Sequence, residues 1–226
     1  MKNIVVLTGA GMSAESGIKT FREAGGLWEG YDVMKVASPQ GWHENKELVL
    51  DFYNQRRAQL KEVLPNEGHL ALAKLESRYH VDIVTQNVDD LHERAGSTNV
   101  LHLHGELRKV RSERNQLLIV ETSESIHLGD TASDGHQLRP HIVWFGEDVP
   151  ELMNAIPITE KADILIIIGT SMQVYPANNL IHYAPSGIPI YFIDPNPNIS
   201  KNAYLNLTVI PETAGTGVTK LVTELL

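Results

Sequence analysis

Val81, Ile83 and Val84 lead into four polar side chains, Thr85, Gln86, Asn87 and Asp89. The chain returns through Val100 and Leu101 and stops on His102, Leu103, His104 and Gly105. A short β-branched run that breaks into polar residues reads as a buried strand and its end. In open α/β sheets ligands sit at the carboxyl ends of parallel strands. Two neighbouring strand ends therefore place amides, a carboxylate and an imidazole around one cleft. A histidine there suits base chemistry, because a pKa of about 6.5 leaves it largely neutral at pH 7.

A second chemical stretch opens the chain. The apolar run Ile4 to Leu7 breaks into Thr8-Gly9-Ala10-Gly11-Met12-Ser13-Ala14, which fits a strand, a glycine turn and a helix. Glycines let a backbone approach a pyrophosphate, whose charge a following helix N-terminus stabilises. A dehydrogenase would end a second strand on a ribose-binding acid about twenty residues later. Gly25-Gly26-Leu27-Trp28-Glu29-Gly30-Tyr31 stands there instead, and it is not a strand. This is not an ordinary dehydrogenase.

The elements that must position these groups follow from hydrophobic patterning. Ile164 to Ile168 is a five-residue strand buried on both faces, ending in Gly169-Thr170-Ser171. Ile190 to Ile193 ends in Asp194-Pro195-Asn196-Pro197, and Leu207 to Ile210 precedes a C-terminal helix. Ser16 to Trp28 reads as a loop carrying Phe21 and Arg22. Leu48 to Leu64 reads as a helix with Val49, Phe52 and Tyr53 on its apolar stripe, and Arg56 falls on the same stripe. Asn66 can cap a helix from Glu67 to Arg78, and Asp89 can cap one from Asp90 to Ala95. From Glu106 to Arg139 the chain is polar and turn-rich, with Leu117 to Val120 its one convincing strand, which reads as a small β-lobe. Val143-Trp144-Phe145-Gly146-Glu147 then reads as an exposed aromatic run.

Composition narrows the function. The 226 residues suffice for one large domain or one domain with a smaller inserted lobe. A formal charge of −9 leaves no electrostatic footprint for nucleic acid or an anionic membrane surface. The absence of cysteine excludes disulfides, thiol nucleophiles and thiolate-bound zinc. The first apolar run is too short for a signal peptide or a spanning helix, so a cytoplasmic protein is expected.

Six motifs taken in order, GAGMSAESGIKTFR, TQNVDDLHERAG, LHLHGEL, RPHIVWFGE, GTSMQVYPA and IDPNP, resemble the sirtuins, NAD-dependent protein lysine deacylases. The resemblance implies that Gly9, Ala10, Gly11 and Ser13 cradle the pyrophosphate and that Phe21 and Arg22 lie over the nicotinamide ribose. It implies that Gln86, Asn87 and Asp89 surround the nicotinamide ribose and carboxamide, with Asn87 catalytic beside the general base His104. Gly169, Thr170, Ser171 and Asn196 would hold the adenosine half. Val143, Trp144, Phe145 and Gly146, with Val174 and Tyr175, would line the peptide groove. An amide oxygen is a poor nucleophile and succeeds only when held close to the sugar carbon with water excluded. The implied products are lysine, nicotinamide and O-acyl-ADP-ribose.

Two departures sharpen this expectation. Most sirtuins carry a structural zinc on two Cys-x-x-Cys pairs, and the matching positions here are Ser112, Asn115, Thr131 and Asp134. These are a poor tetrahedral zinc set, and the spacing of His127 and His136 matches no common site. The lobe is expected to be metal-free, held by packing and hydrogen bonds. Tyr53 and Arg56 match the Tyr-x-x-Arg of sirtuins that accept acidic acyl groups, and Ala37 matches the small residue that widens their pocket. An arginine and a phenol at the floor of an apolar tunnel can bind a succinyl or malonyl carboxylate.

The expected fold is α/β, a Rossmann-like open parallel sheet of about six strands with helices on both faces and a smaller inserted lobe. Residues 1–28, 76–105 and 140–226 are assigned to the NAD-binding domain, and 29–75 with 106–139 to the small one. The expected protein is a monomeric desuccinylase, demalonylase and deacetylase acting on acylated lysines of proteins, with NAD as cofactor and no zinc, nucleic acid or membrane partner. An NAD glycohydrolase or ADP-ribosyltransferase, and a non-enzymatic NAD-binding regulatory module, are the alternatives.

Overall fold

The computed structural model describes residues 1–19, 27–28, 30–171, 177–200 and 204–226. In chain order its elements begin with β1 (Asn3–Thr8), β2 (Leu27–Trp28), β3 (Tyr31–Asp32), α1 (Val33–Val36), α2 (Pro39–Glu44), α3 (Lys46–Gln59) and α4 (Glu67–Leu75). Next come β4 (His80–Thr85), α5 (Leu91–Ala95), β5 (Val100–His102), β6 (Gly105–Ser112), β7 (Ile119–Glu121) and β8 (Leu138–Ile142). The chain ends with α6 (Leu152–Thr159), β9 (Ile164–Ile168), β10 (Ile190–Ile193), β11 (Leu207–Ile210) and α7 (Ala214–Leu225).

The β-branched runs become one sheet of six parallel strands, ordered β11-β10-β9-β1-β4-β5. Alternate residues of β1 serve its two faces, as strand pleating requires. Ile4 and Val6 pack with α4 and α7 through Leu72, Leu75, Val218 and Leu221. Val5 and Leu7 pack on the other side with Ala155, Leu180 and Ile181. From β1 the chain runs outward through β4 and β5, then restarts on the opposite side at β9. That reversal is the topological switch point, where open α/β sheets leave a crevice at their strand ends.

A third core joins α1, α2 and α3 to a small antiparallel sheet ordered β7-β6-β8, through Val36, Trp42, Phe52, Tyr53, Val110, Ile142 and Trp144. The lobe thus has three strands where the sequence suggested one. β6 is hard to read because charged residues interrupt its buried Leu107 and Val110, and its pairing with β8 shifts between Gly105 and Val110. α4 also departs from the domain assignment. Ala71, Leu72 and Leu75 pack on the large sheet, not with the helices of residues 29–66. Its stripe matched the face of a sheet that sequence alone does not supply. Among the described residues, no helix is long and apolar enough to cross a membrane.

Candidate active site

Two glycine turns meet at the switch point. The Gly9 N–H donates to Ile168 O at 3.0 Å, and the Gly11 N–H donates to Gly169 O at 2.8 Å. A Cβ on Gly11 would lie 2.7 Å from the Gly169 Cα, and one on Gly169 would lie 2.4 Å from the Met12 nitrogen. The turns after β1 and β9 therefore interlock backbone to backbone, a second reason for glycine besides access to a phosphate. The helix expected after Gly9 is replaced by two 3-10 turns, Ala10–Met12 and Ala14–Ser16. Their close packing on the β9 turn leaves no α-helix N-terminus at this position.

The end of β4 closes the site from the side. Asn87 Nδ2 donates to Ser13 Oγ at 3.1 Å, and Ser13 Oγ donates to Asp89 Oδ2 at 2.9 Å. Asp89 Oδ1 accepts from the Leu91 N–H at 3.2 Å, so this carboxylate both starts α5 and belongs to the site. Burial raises the Asp89 pKa, against the lowering effect of these hydrogen bonds. Gln86 Nε2 donates to Thr170 Oγ1 at 3.2 Å, tying the ends of β4 and β9 together across β1. Ser13 thus spends its hydroxyl hydrogen on Asp89. Below them, Thr8 Oγ1 donates to Thr85 Oγ1 at 2.8 Å. The neutral, buried rings of His69 and His92 meet 4.8 Å apart.

His104 sits half-buried just beyond β5, with Nδ1 3.1 Å from Gln86 O. A carbonyl only accepts, so Nδ1 carries the hydrogen and Nε2 keeps its lone pair. Burial lowers its pKa, with the Gln86 carbonyl opposing. The basic form therefore survives to lower pH than in a free histidine. We expect the acid limb of kcat/KM, followed by peptide turnover against pH, to fall below pH 6.5. An acid limb above that value would mean that His104 is not the base.

Val143 adjoins His104, its N–H donating to His104 O at 2.9 Å. Beyond it the aromatic run divides. Phe145 is 48% exposed and Gly146 lies open at φ +92°, whereas Trp144 is only 2% exposed and belongs to the core. Trp144 thus lies in the core beside Tyr53, not on the exposed edge that Phe145 and Gly146 form. Arg139 stacks on its ring at 3.4 Å, and Glu147 holds Arg139 at 2.7 Å. Trp144 Nε1 donates to the Tyr53 hydroxyl at 3.0 Å. Tyr53 is fully buried, and burial raises its pKa far above the usual range, so it stays a neutral phenol.

Ala37 and Tyr53 share that core, with Ala37 O accepting from the Phe145 N–H at 2.9 Å. The Arg56 guanidinium lies 4.6 Å from the Phe52 ring centroid. The arginine buried in α3 is its neighbour Arg57, 2% exposed and donating to Leu107 O at 2.9 Å and Asn54 Oδ1 at 2.8 Å. A one-residue offset on a helix turns a side chain by about 100°, which separates the two roles. Asn196 is exposed just after β10. Phe21, Arg22, Val174 and Tyr175 lie outside the described residues. The stretches read from sequence thus meet as strand ends, whereas His69, His92 and His102 were missed as supports. An Asn66–His69 cap pair, whose His69 Nδ1 accepts from the Asn66 N–H at 3.3 Å, was the signal for the first.

The residues at the ribbon positions do not fit zinc. Ser112 Oγ donates to Asp134 Oδ2 at 2.7 Å and accepts from the Arg114 and Asn115 N–H groups at 3.1 Å each. Asn115 Oδ1 accepts from the Leu117 N–H at 3.0 Å, and Asp134 Oδ1 from the His136 N–H at 3.1 Å. These side chains bond to each other and to their own turns. Among the described residues, no group of three or more His, Asp or Glu is placed to hold a metal ion. Ser112→Ala strands two N–H groups beneath a buried position, a loss of roughly 1–2 kcal/mol. We expect the melting temperature to fall by about 2–8 °C, while a chelator leaves the wild type unmoved. A chelator-induced drop would show a metal in the lobe.

A family model described as "Sir2 family" matches residues 9–176. The chain is 58% identical to the "NAD-dependent protein deacylase" of Helicobacter pylori (strain ATCC 700392 / 26695), over all of this chain and 98% of the relative. Its fold matches a Sir2 homolog–NAD complex with a TM-score of 0.87 and 39% identity, over 99% of this chain and 89% of the other. A solved "Sir2 bound to acetylated peptide" matches with a TM-score of 0.79 and 26% identity, over 98% and 92% of the two chains.

Proposed function

The chain belongs to the Sir2 family and is an NAD-dependent protein deacylase, and we propose that it removes succinyl and malonyl as well as acetyl groups from lysine, acting as a cytoplasmic monomer. The site's chemistry fits the cofactor. The switch-point crevice offers backbone from two interlocked glycine turns, the amides of Gln86 and Asn87, the hydroxyl of Thr170 and the Asp89 carboxylate. We read Gly9, Ala10, Gly11 and Ser13 as the pyrophosphate cradle, and Gln86, Asn87 and Asp89 as the holders of the nicotinamide ribose and carboxamide. Gly169, Thr170, Ser171 and Asn196 are read as the adenosine end. NAD supplies an electrophilic ribose carbon with a cationic leaving group. His104 Nε2 takes a proton from a hydroxyl presented to it, and Val143, tied to His104 O, brings the peptide strand alongside. Phe145 and Gly146 offer that strand an exposed edge.

The observation that carries the acidic-acyl reading is the Tyr53 phenol. Burial keeps it protonated, and Trp144 Nε1–H occupies its oxygen, so the phenol hydrogen is the part left to donate. No acceptor for that hydrogen appears among the described residues. A buried donor of this kind costs free energy until an acceptor arrives, and an acyl carboxylate is a strong one. Arg56, one turn along α3, would supply the charge.

The test is turnover of two peptides differing only in acetyl- against succinyl-lysine, with NAD, a chelator and mass detection of O-acyl-ADP-ribose. Succinyl preference in chelator supports the reading. Acetyl preference leaves a plain deacetylase. Nicotinamide release without either acyl product would make the enzyme an NAD glycohydrolase.

A further inference from the structure

His102 lies directly behind the Asn87–Asp89 loop, and both of its ring nitrogens face acceptors. Nδ1 is 2.9 Å from the Asn87 main-chain carbonyl, and Nε2 is 2.7 Å from Glu93 Oε1. A carbonyl cannot donate and an ionised carboxylate cannot either, so a ring that satisfies both carries two hydrogens. Either neutral tautomer would aim a lone pair at an oxygen. The His102 side chain is 6% exposed, whereas that of Glu93 is 41% exposed. The cation is therefore buried while its counter-charge reaches solvent.

We propose that His102 is a positioning residue for the deacylation site, clamping the Asn87 backbone from behind by a doubly hydrogen-bonded bridge to Glu93. The clamp completes Asn87. Its N–H already donates to Thr85 Oγ1 at 3.0 Å, and its side-chain amide to Ser13 Oγ at 3.1 Å. With the carbonyl held as well, the polar groups joining β4 to the site are fixed. The same short loop carries Gln86, whose carbonyl sets the His104 tautomer, and Asp89. A shift at residue 87 is therefore felt by both the cofactor-holding side chains and the base. The two histidines of Leu101-His102-Leu103-His104 divide the work, one as a charged clamp and one as a neutral base.

Charged and titratable neighbours face the ring from each packed element. Glu93 and neutral His92 come from α5, Glu106 from β6 and Asp89 from the loop, while Lys109 of β6 acts on Glu93. Lys109 Nζ is engaged by Glu106 at 2.6 Å. Burial opposes the charged ring, but the hydrogen bond and charge of Glu93, the Asn87 carbonyl and Glu106 outweigh it. The His102 pKa is thereby raised, so the clamp is intact at low pH and is lost as pH rises through that value. In Glu93→Gln the amide can donate to Nε2, so a neutral ring keeps its bond to Asn87.

The experiment uses full-length enzyme with 15N-labelled histidine. Long-range 1H–15N spectra at pH 7 should show His102 as a doubly protonated imidazolium and His104 as the neutral Nδ1–H tautomer. With NAD and acyl peptide, His102→Leu should lower kcat about tenfold and raise the Kd for ADP-ribose several-fold, since Asn87 and Asp89 are read as holding its ribose. His102→Gln, which can still donate to the Asn87 carbonyl, should recover most of that loss. Glu93→Gln should move the alkaline fall of kcat/KM to higher pH by a unit or more. A neutral His102 at pH 7, an unshifted alkaline limb in Glu93→Gln, or kcat within twofold of wild type for His102→Leu would each overturn the proposal.

Discussion

His104→Ala is expected to lower deacylation by about a thousandfold, the middle of the range for a positioned general base. The cause is local. Nδ1–H is committed to the Gln86 carbonyl, which leaves Nε2 as the atom that can accept a proton. Alanine removes that lone pair and one hydrogen bond, costing about 1 kcal/mol of stability, so the protein still folds. The Kd for NAD should stay within about threefold, because the base is not asked to hold the cofactor. Steady-state turnover with mass detection of the acyl product, paired with calorimetric NAD binding, checks both halves. Retention of a tenth or more of wild-type turnover would place the base elsewhere.

Arg56→Met should cost kcat/KM for a succinyl peptide about 10- to 150-fold and change the acetyl peptide less than about threefold. A hydrogen bond to a charged group contributes about 1.5–3 kcal/mol net, and 1.4 kcal/mol is a factor of ten. Methionine keeps an apolar stem against the Phe52 ring, over which the Arg56 guanidinium now lies at 4.6 Å. Packing is thereby separated from charge. Full desuccinylase activity in Arg56→Met would end the acidic-acyl reading and leave the deacylase assignment intact. The structure also guards against a misreading of this helix. Arg57, not Arg56, is the arginine buried against Leu107 O and Asn54, so Arg57→Met should unfold the small lobe and report nothing about acyl choice.

The motifs of the candidate site could be read from sequence because each is local. Strand ends are marked by a β-branched run giving way to polar residues, and Thr85 to Asp89, His104 and Gly169 to Ser171 stand at such breaks. The Asn66 and Asp89 caps were legible for the same reason, since a cap bonds to an N–H two or three residues away. Their supports were not legible. The Trp144–Tyr53 bond spans 91 positions and the Ser13–Asp89 bond spans 76. No periodicity signals a partner at that distance. The burial of Trp144 beside the exposed Phe145 was not legible either, because a run of aromatics does not show which ring turns inward.

By itself the sequence determined the parallel sheet, the interruptions that end its strands, the absence of thiolate for zinc, and the residue types available to bind NAD and move a proton. These are properties of neighbours along the chain, where hydrophobic period and backbone preference act. Tertiary structure alone decided which turns interlock at Gly11 and Gly169, that α4 joins the large sheet, and that Ser112 and Asp134 close the lobe on each other. It alone put a second histidine behind Asn87 with acceptors at both nitrogens. Those outcomes depend on close packing and on satisfying buried polar groups, and both are settled only when segments far apart in sequence meet.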